Sequence, residues 1–117
     1  MWDSLTKLLT HGSGATASVE ELRQALEQPA EGVLFVDVRT KTEWEKGHIA
    51  GFRHIPMSEL AEHVDELKRY PKVYFLCHSG GRSGRACALL ARNGHQGAIN
   101  VLGGWSEWVA RGYPVER

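Results

Sequence analysis

The chain has 117 residues, 42% of them hydrophobic and 24% charged, with Lys plus Arg equal to Asp plus Glu. That length suits one domain with a modest core. Zero formal net charge gives no overall pull toward nucleic acid or an acidic membrane, and two cysteines are too few for a secreted disulfide scaffold. Met1 to His11 lacks the apolar stretch of a secretory signal, and no run approaches the ~20 apolar residues of a membrane span. The expected location is the cytoplasm, where a free thiol stays reduced.

The first segment, residues 1–17, sets Trp2, Leu5, Leu8 and Leu9 near helical spacing before Gly12-Ser13-Gly14. It reads as a short terminal helix that packs on the domain or frays, with a membrane- or partner-binding helix as the alternative. Residues 18–117 form the domain proper. Ser18 followed three residues later by Glu21 has the form of a capping box and predicts a helix to about Gln28. Val33 to Val38 is apolar and rich in β-branched residues, as in a buried strand. Thr42 to Lys46 reads as one helical turn closed by Gly47, and Arg53 to Pro56 as a short extended piece. Ser58 to Leu67 reads as an amphipathic helix with Leu60, Val64 and Leu67 on one face. Lys72 to Leu76 is the second clear strand, and Cys77 follows at once. Ser83 to Asn93 reads as a helix stopped by Gly94, Ala98 to Val101 as a strand, and Trp105 to Ala110 as a last helix. Strands alternating with helices predict an α/β fold, with a parallel sheet flanked by helices on both faces.

The chemistry gathers in Cys77-His78-Ser79-Gly80-Gly81-Arg82-Ser83, just past the carboxyl end of a strand. Ligands of open α/β sheets bind there. Gly80 and Gly81 let the backbone curl, so that successive N–H groups point inward as an anion nest at the mouth of which Cys77 sits. The following helix adds its positive end, Arg82 a full charge, and Ser83 suits the helix cap. Each of these favours a thiolate over a thiol, so Cys77 is expected to be reactive at neutral pH. Near the first strand, Arg39 with Glu43, and with Asp37 as well, reads as a structural ion pair, a catalytic role being the alternative, and Asp37 can also serve loop N–H groups. His48 reads as a hydrogen-bonded turn residue. Trp44, Trp105 and Trp108 read as packing residues, with Trp105 placed to line the site mouth. Cys87, ten residues beyond Cys77, reads as a small core residue, a resolving thiol being the alternative. The cysteines and histidines have no zinc-ligand spacing, so no metal is expected.

The ordered motifs Asp37-Val38-Arg39, Glu43-Trp44, Gly47-His48-Ile49-Ala50-Gly51, Ile55-Pro56, the Cys77–Ser83 loop and Leu102-Gly103-Gly104-Trp105 resemble a single-domain rhodanese over about Ser18 to Val115. The resemblance implies a sulfurtransferase without cofactor. Cys77 would take a sulfane sulfur as a persulfide and Arg82 would orient an anionic donor. His78, Ser79, Gly80, Gly81 and Ser83 would bind the substrate, with Asp37, Arg39 and Glu43 in support. The implied donors are thiosulfate or a similar compound, and the acceptors cyanide or a thiol, including thioredoxin or a sulfur-carrier protein. Many members of the family have Arg where His78 stands, so the loop rim has one fixed charge fewer. Cysteine phosphatases use a comparable cradle with five residues between Cys and Arg. Four separate Cys77 from Arg82, a tighter loop that suits one sulfur better than a phosphoryl group. A non-catalytic interaction module and a redox-regulatory thiol are the remaining readings.

Overall fold

The computed structural model describes residues 15–117, so the helix expected over Trp2 to Leu9 lies outside the described residues. A two-residue strand, β1 (Thr16–Ala17), comes first and leads through Ser18 into α1 (Val19–Glu27). The Ser18 hydroxyl accepts the Glu21 N–H at 3.0 Å, and the Glu21 carboxylate accepts the Ser18 N–H at 2.8 Å. This is the capping box predicted from those two residues. A second box, Thr40 with Glu43, starts α2 (Lys41–Lys46) after strand β2 (Val33–Asp37). Strand β3 (Arg53–His54) follows.

The helix expected over Ser58–Leu67 is broken. It forms α3 (Met57–Leu60), a tighter 3₁₀ turn over Ala61–His63, and α4 (Val64–Leu67). Leu60, Val64 and Leu67 are still all buried, which was the feature the apolar spacing carried. The distortion brings His63 Nδ1 within 3.2 Å of the Glu66 carboxylate, which Arg53 grips at 2.6 and 3.0 Å. Strand β4 (Lys72–Leu76), α5 (Gly81–Arg92), β5 (Ala98–Val101) and α6 (Gly104–Ala110) complete the chain.

The strands form one parallel sheet in the order β1-β5-β4-β2-β3. Thr16 pairs with Asn100 and Ala17 with Val101, so two residues of the N-terminal segment belong to the sheet. Side chains alternate across a strand. Val36, Val73 and Phe75 therefore face one side, where they pack with Leu60, Val64 and Leu67 and with Ala86, Cys87 and Leu90 of α5. Phe35 and Leu76 face the other, against Val19 and Leu22 of α1 and Trp108 of α6. Helices thus cover both faces. Cys77, one residue past β4, continues the alternation on the α5 side and is only 1% exposed.

Candidate active site

Strand β4 has β2 on one side and β5 on the other, so the loop at its end can draw partners from both. Gly80 adopts φ +115°, a conformation side chains resist, and serves as the cap of α5. The helix therefore begins at Gly81. Ser83 is not the cap expected from sequence. It lies in the first turn, fully buried, with its side chain turned inward. The curl at Gly80 starts the helix early enough to make that possible.

The Gly80 N–H donates to Cys77 Sγ at 3.0 Å, and Ser83 Oγ lies 3.2 Å from the same sulfur. Burial pushes the Cys77 thiol up. The Ser83 hydroxyl and the N–H groups of Ser83, Gly80 and Ser79 pull it down, and the pull prevails. The sulfur is held on the floor of the loop rather than at its rim, where His78, Ser79 and Gly81 are exposed.

The backs of the loop peptides are also engaged. Trp105 N–H donates to the Cys77 carbonyl at 2.8 Å, and Ser106 N–H to the His78 carbonyl at 2.9 Å. In a trans peptide the N–H points opposite to the carbonyl. Holding the His78 carbonyl toward α6 thus turns the Ser79 N–H toward the sulfur. The contact is close: a Cβ on Gly104 (φ +53°) would strike the Cys77 carbonyl oxygen and lie 2.8 Å from that of His78. Gly104 allows this approach, while Gly103 caps α6 in a left-handed conformation.

Of the two carboxylates envisaged for Arg39, Asp37 is its partner and Glu43 is not. Arg39 binds Asp37 through Nε (3.1 and 3.0 Å) and a terminal nitrogen (2.9 Å), and reaches the Gly47 carbonyl at 2.8 Å. Both residues are buried, and the Arg39 guanidinium stacks on Trp105 at 4.4 Å. Asp37 also accepts the Arg39 N–H at 2.9 Å, so its oxygens serve β2's own end. Arg82 instead binds the Glu43 carboxylate at 2.7 and 2.9 Å. Their charges are matched pairwise, and Arg82 reaches the sulfur as a nearby charge already balanced by Glu43. His48 is not in a turn but in an isolated antiparallel bridge with Glu116; its Nδ1 lies 2.9 Å from the Trp44 carbonyl and its ring stacks on Trp44 at 3.8 Å. Cys87 sits in the core, where burial pushes its thiol up to about 12.

One site residue escaped the sequence reading. Asn100 of β5 accepts the Ser83 hydroxyl at 2.5 Å and donates its amide to the Gly80 carbonyl at 3.2 Å. Nothing in the short Ala98–Val101 run marks it, because its partners lie 17 and 20 residues away.

Cys77 thus lies at the carboxyl end of a central strand but buried beneath the loop, not at its mouth as the sequence suggests. A sequence model of the rhodanese-like domain matches residues 18–111. The chain belongs to the rhodanese-like family. It is 34% identical over 105 residues to YrkF of Bacillus subtilis (strain 168), a protein named for a sulfur-carrier role; the match covers 86% of this chain and 57% of that one. The chain thus spans little more than half the length of that relative. It is 35% identical over 96 residues to a sulfurtransferase of Allochromatium vinosum, covering 82% of this chain and 89% of that one. The crystal structure of SSP1007 from Staphylococcus saprophyticus superposes with a TM-score of 0.75 at 33% identity, over 88% of this chain and 99% of that one. Sulfur transfer is thus a property of the family. Among the described residues, no helix is long and apolar enough to cross a membrane.

Proposed function

We propose that this protein is a sulfurtransferase in which Cys77 carries a sulfane sulfur as a persulfide. The observation that supports it most is the setting of Cys77 Sγ, which accepts the Gly80 N–H at 3.0 Å and lies 3.2 Å from the Ser83 hydroxyl. A buried thiolate is costly without such partners. With them, Sγ is a prepared nucleophile.

In the first half-reaction the Cys77 thiolate attacks the outer sulfur of thiosulfate or a similar donor. A new S–S bond forms, the donor's S–S bond breaks, and sulfite leaves with the electron pair. In the second, cyanide or a thiolate attacks the outer sulfur of the persulfide, and the electron pair of the broken bond returns to Cys77 Sγ. The loop N–H groups and the Ser83 hydroxyl stabilise the charge that reappears there. His78, Ser79 and Gly81 line the exposed rim where donor and acceptor enter, and Arg82 orients an anionic donor from its Glu43 pair. Protein thiols such as thioredoxin or a sulfur carrier fit the acceptor role, and the cytoplasm fits the need for a reduced Cys77.

The test is intact mass after incubation with thiosulfate. A gain of one sulfur, removed by cyanide or dithiothreitol and absent in Cys77→Ala, is the expected result. Hydrolysis of an aryl phosphate without sulfur gain would replace this reading with a phosphatase. Neither activity would leave an interaction module.

A further inference from the structure

The Ser83 hydroxyl stands between two acceptors. Its oxygen is 3.2 Å from Cys77 Sγ and 2.5 Å from Asn100 Oδ1. A hydroxyl has one proton to give. When that proton points at Asn100, the Ser83 oxygen presents lone pairs to Cys77, and an S–H suits it best. When it points at Cys77, a thiolate suits it best, and Asn100 Oδ1 goes without a donor. The Asn100 amide cannot turn over to evade the contest without putting its carbonyl oxygen against that of Gly80, to which its nitrogen now donates. The residue is fixed in place by its backbone as well. It pairs with Phe75 of β4 and Thr16 of β1, and its N–H donates to the Ala15 carbonyl at 3.0 Å.

We propose that Asn100 is a positioning residue for the chemistry at Cys77, competing with the sulfur for the single Ser83 proton and so setting how readily Cys77 becomes a thiolate. The proposal rests on Cys77 being the reactive sulfur. The proton stays on Ser83 throughout and only changes direction; the proton that Cys77 loses goes to solvent. During sulfur discharge the electron pair of the breaking S–S bond collects on Sγ, and the Ser83 hydroxyl turns from Asn100 to meet it.

Other charged groups stand on the elements around the sulfur, and of these Arg82 interacts with it electrostatically. Arg82 comes from α5, balanced by Glu43 of α2; Asp37 and Arg39 stand at the end of β2; His78 is in the loop itself. The start of α6 contributes main-chain N–H groups only. All of these stay constant when Asn100 and Ser83 alone are changed. The Gly80 carbonyl also keeps its bond from the Gly84 N–H at 3.1 Å when Asn100 is removed, so the Gly80 donor stays in place.

The experiment titrates the thiolate by ultraviolet absorbance, taken as the difference from Cys77→Ala, in wild type, Asn100→Ala, Ser83→Ala and the double variant. Asn100→Ala frees the Ser83 proton for Cys77. Its midpoint is expected to fall by about one unit, raising the thiolate population on the acid side about tenfold. Ser83→Ala is expected to move the midpoint up, and to erase the effect of Asn100→Ala. An unchanged or raised midpoint in Asn100→Ala, or the same shift with and without Ser83, overturns the proposal. Should Asn100→Ala fail to fold, Asn100→Leu decides: it has nearly the shape of Asn and offers the Ser83 hydroxyl no acceptor, so its midpoint must fall in the Ser83 background and not in Ser83→Ala. Equal shifts overturn the proposal. The titration needs no sulfur donor. A switch that titrates as expected in a protein that takes up no sulfur would therefore remove the transferase reading and leave this one.

Discussion

The Arg82 guanidinium grips the Glu43 carboxylate with both terminal nitrogens, at 2.7 and 2.9 Å. The same carboxylate accepts the Thr40 N–H at 2.9 Å and so closes the cap of α2. One side chain thus starts the helix after β2 and ties it to the helix after the sulfur loop. A two-pronged pair of this kind at partial exposure contributes about 1 kcal/mol.

That pair predicts how the protein responds to acid. Arg82 draws the Glu43 carboxyl from 4.5 to about 2, and Arg53, then His63, do the same for Glu66. A carboxyl whose folded value is depressed binds fewer protons folded than unfolded between the two values. Its stabilisation is complete above 4.5 and is lost as pH falls through about 2. Urea midpoints should therefore hold steady down to about pH 5 and then decline. Glu43→Gln, which keeps a capping side chain, should start lower and decline less. An equal decline in both proteins would show that Glu43 carries no linkage.

The close seat of α6 on the loop gives a second prediction. Gly104→Ala must drive a Cβ into the Cys77 and His78 carbonyls at a positive φ. The expected loss is about 3 kcal/mol by denaturant unfolding, with sulfur loading reduced in whatever remains folded. Gly81→Ala is the control. A Cβ there meets nothing within 4 Å, so stability should stay within about 0.5 kcal/mol of wild type. Equal losses at the two positions would refute the clamp.

The two thiols should behave oppositely. Cys87 is 5% exposed and its thiol is pushed up to about 12, with no Ser83-like donor to offset burial. A small thiol reagent at about pH 8 should label Cys77 alone in the native protein, given that only a thiolate reacts. Cys77→Ala should stay unlabelled until denatured. Labelling of native Cys87 would mean that α5 opens, and would revive it as a resolving thiol.

The strands at Val33, Lys72 and Ala98 were readable because continuous apolar, β-branched runs leave few alternatives. The Cys77 loop was readable for the same local reason, with its glycines and serine in a row. What escaped depended on distance along the chain. Nothing near Glu43 says that its partner is Arg82, 39 residues on. Ser83 looked like a cap because a buried serine in a first turn makes sense only once Asn100 is beside it. The Ser58–Leu67 helix kept its inward face but not its regularity, because apolar spacing reports which side is buried and not the pitch of the turns.

Both outer strands, β1 and β3, are two residues long, while the three between them run four or five. A longer rim would offer a row of bare N–H and carbonyl groups to a strand of another copy. Stopped this short, the sheet ends where one more chain finds almost nothing to zip onto.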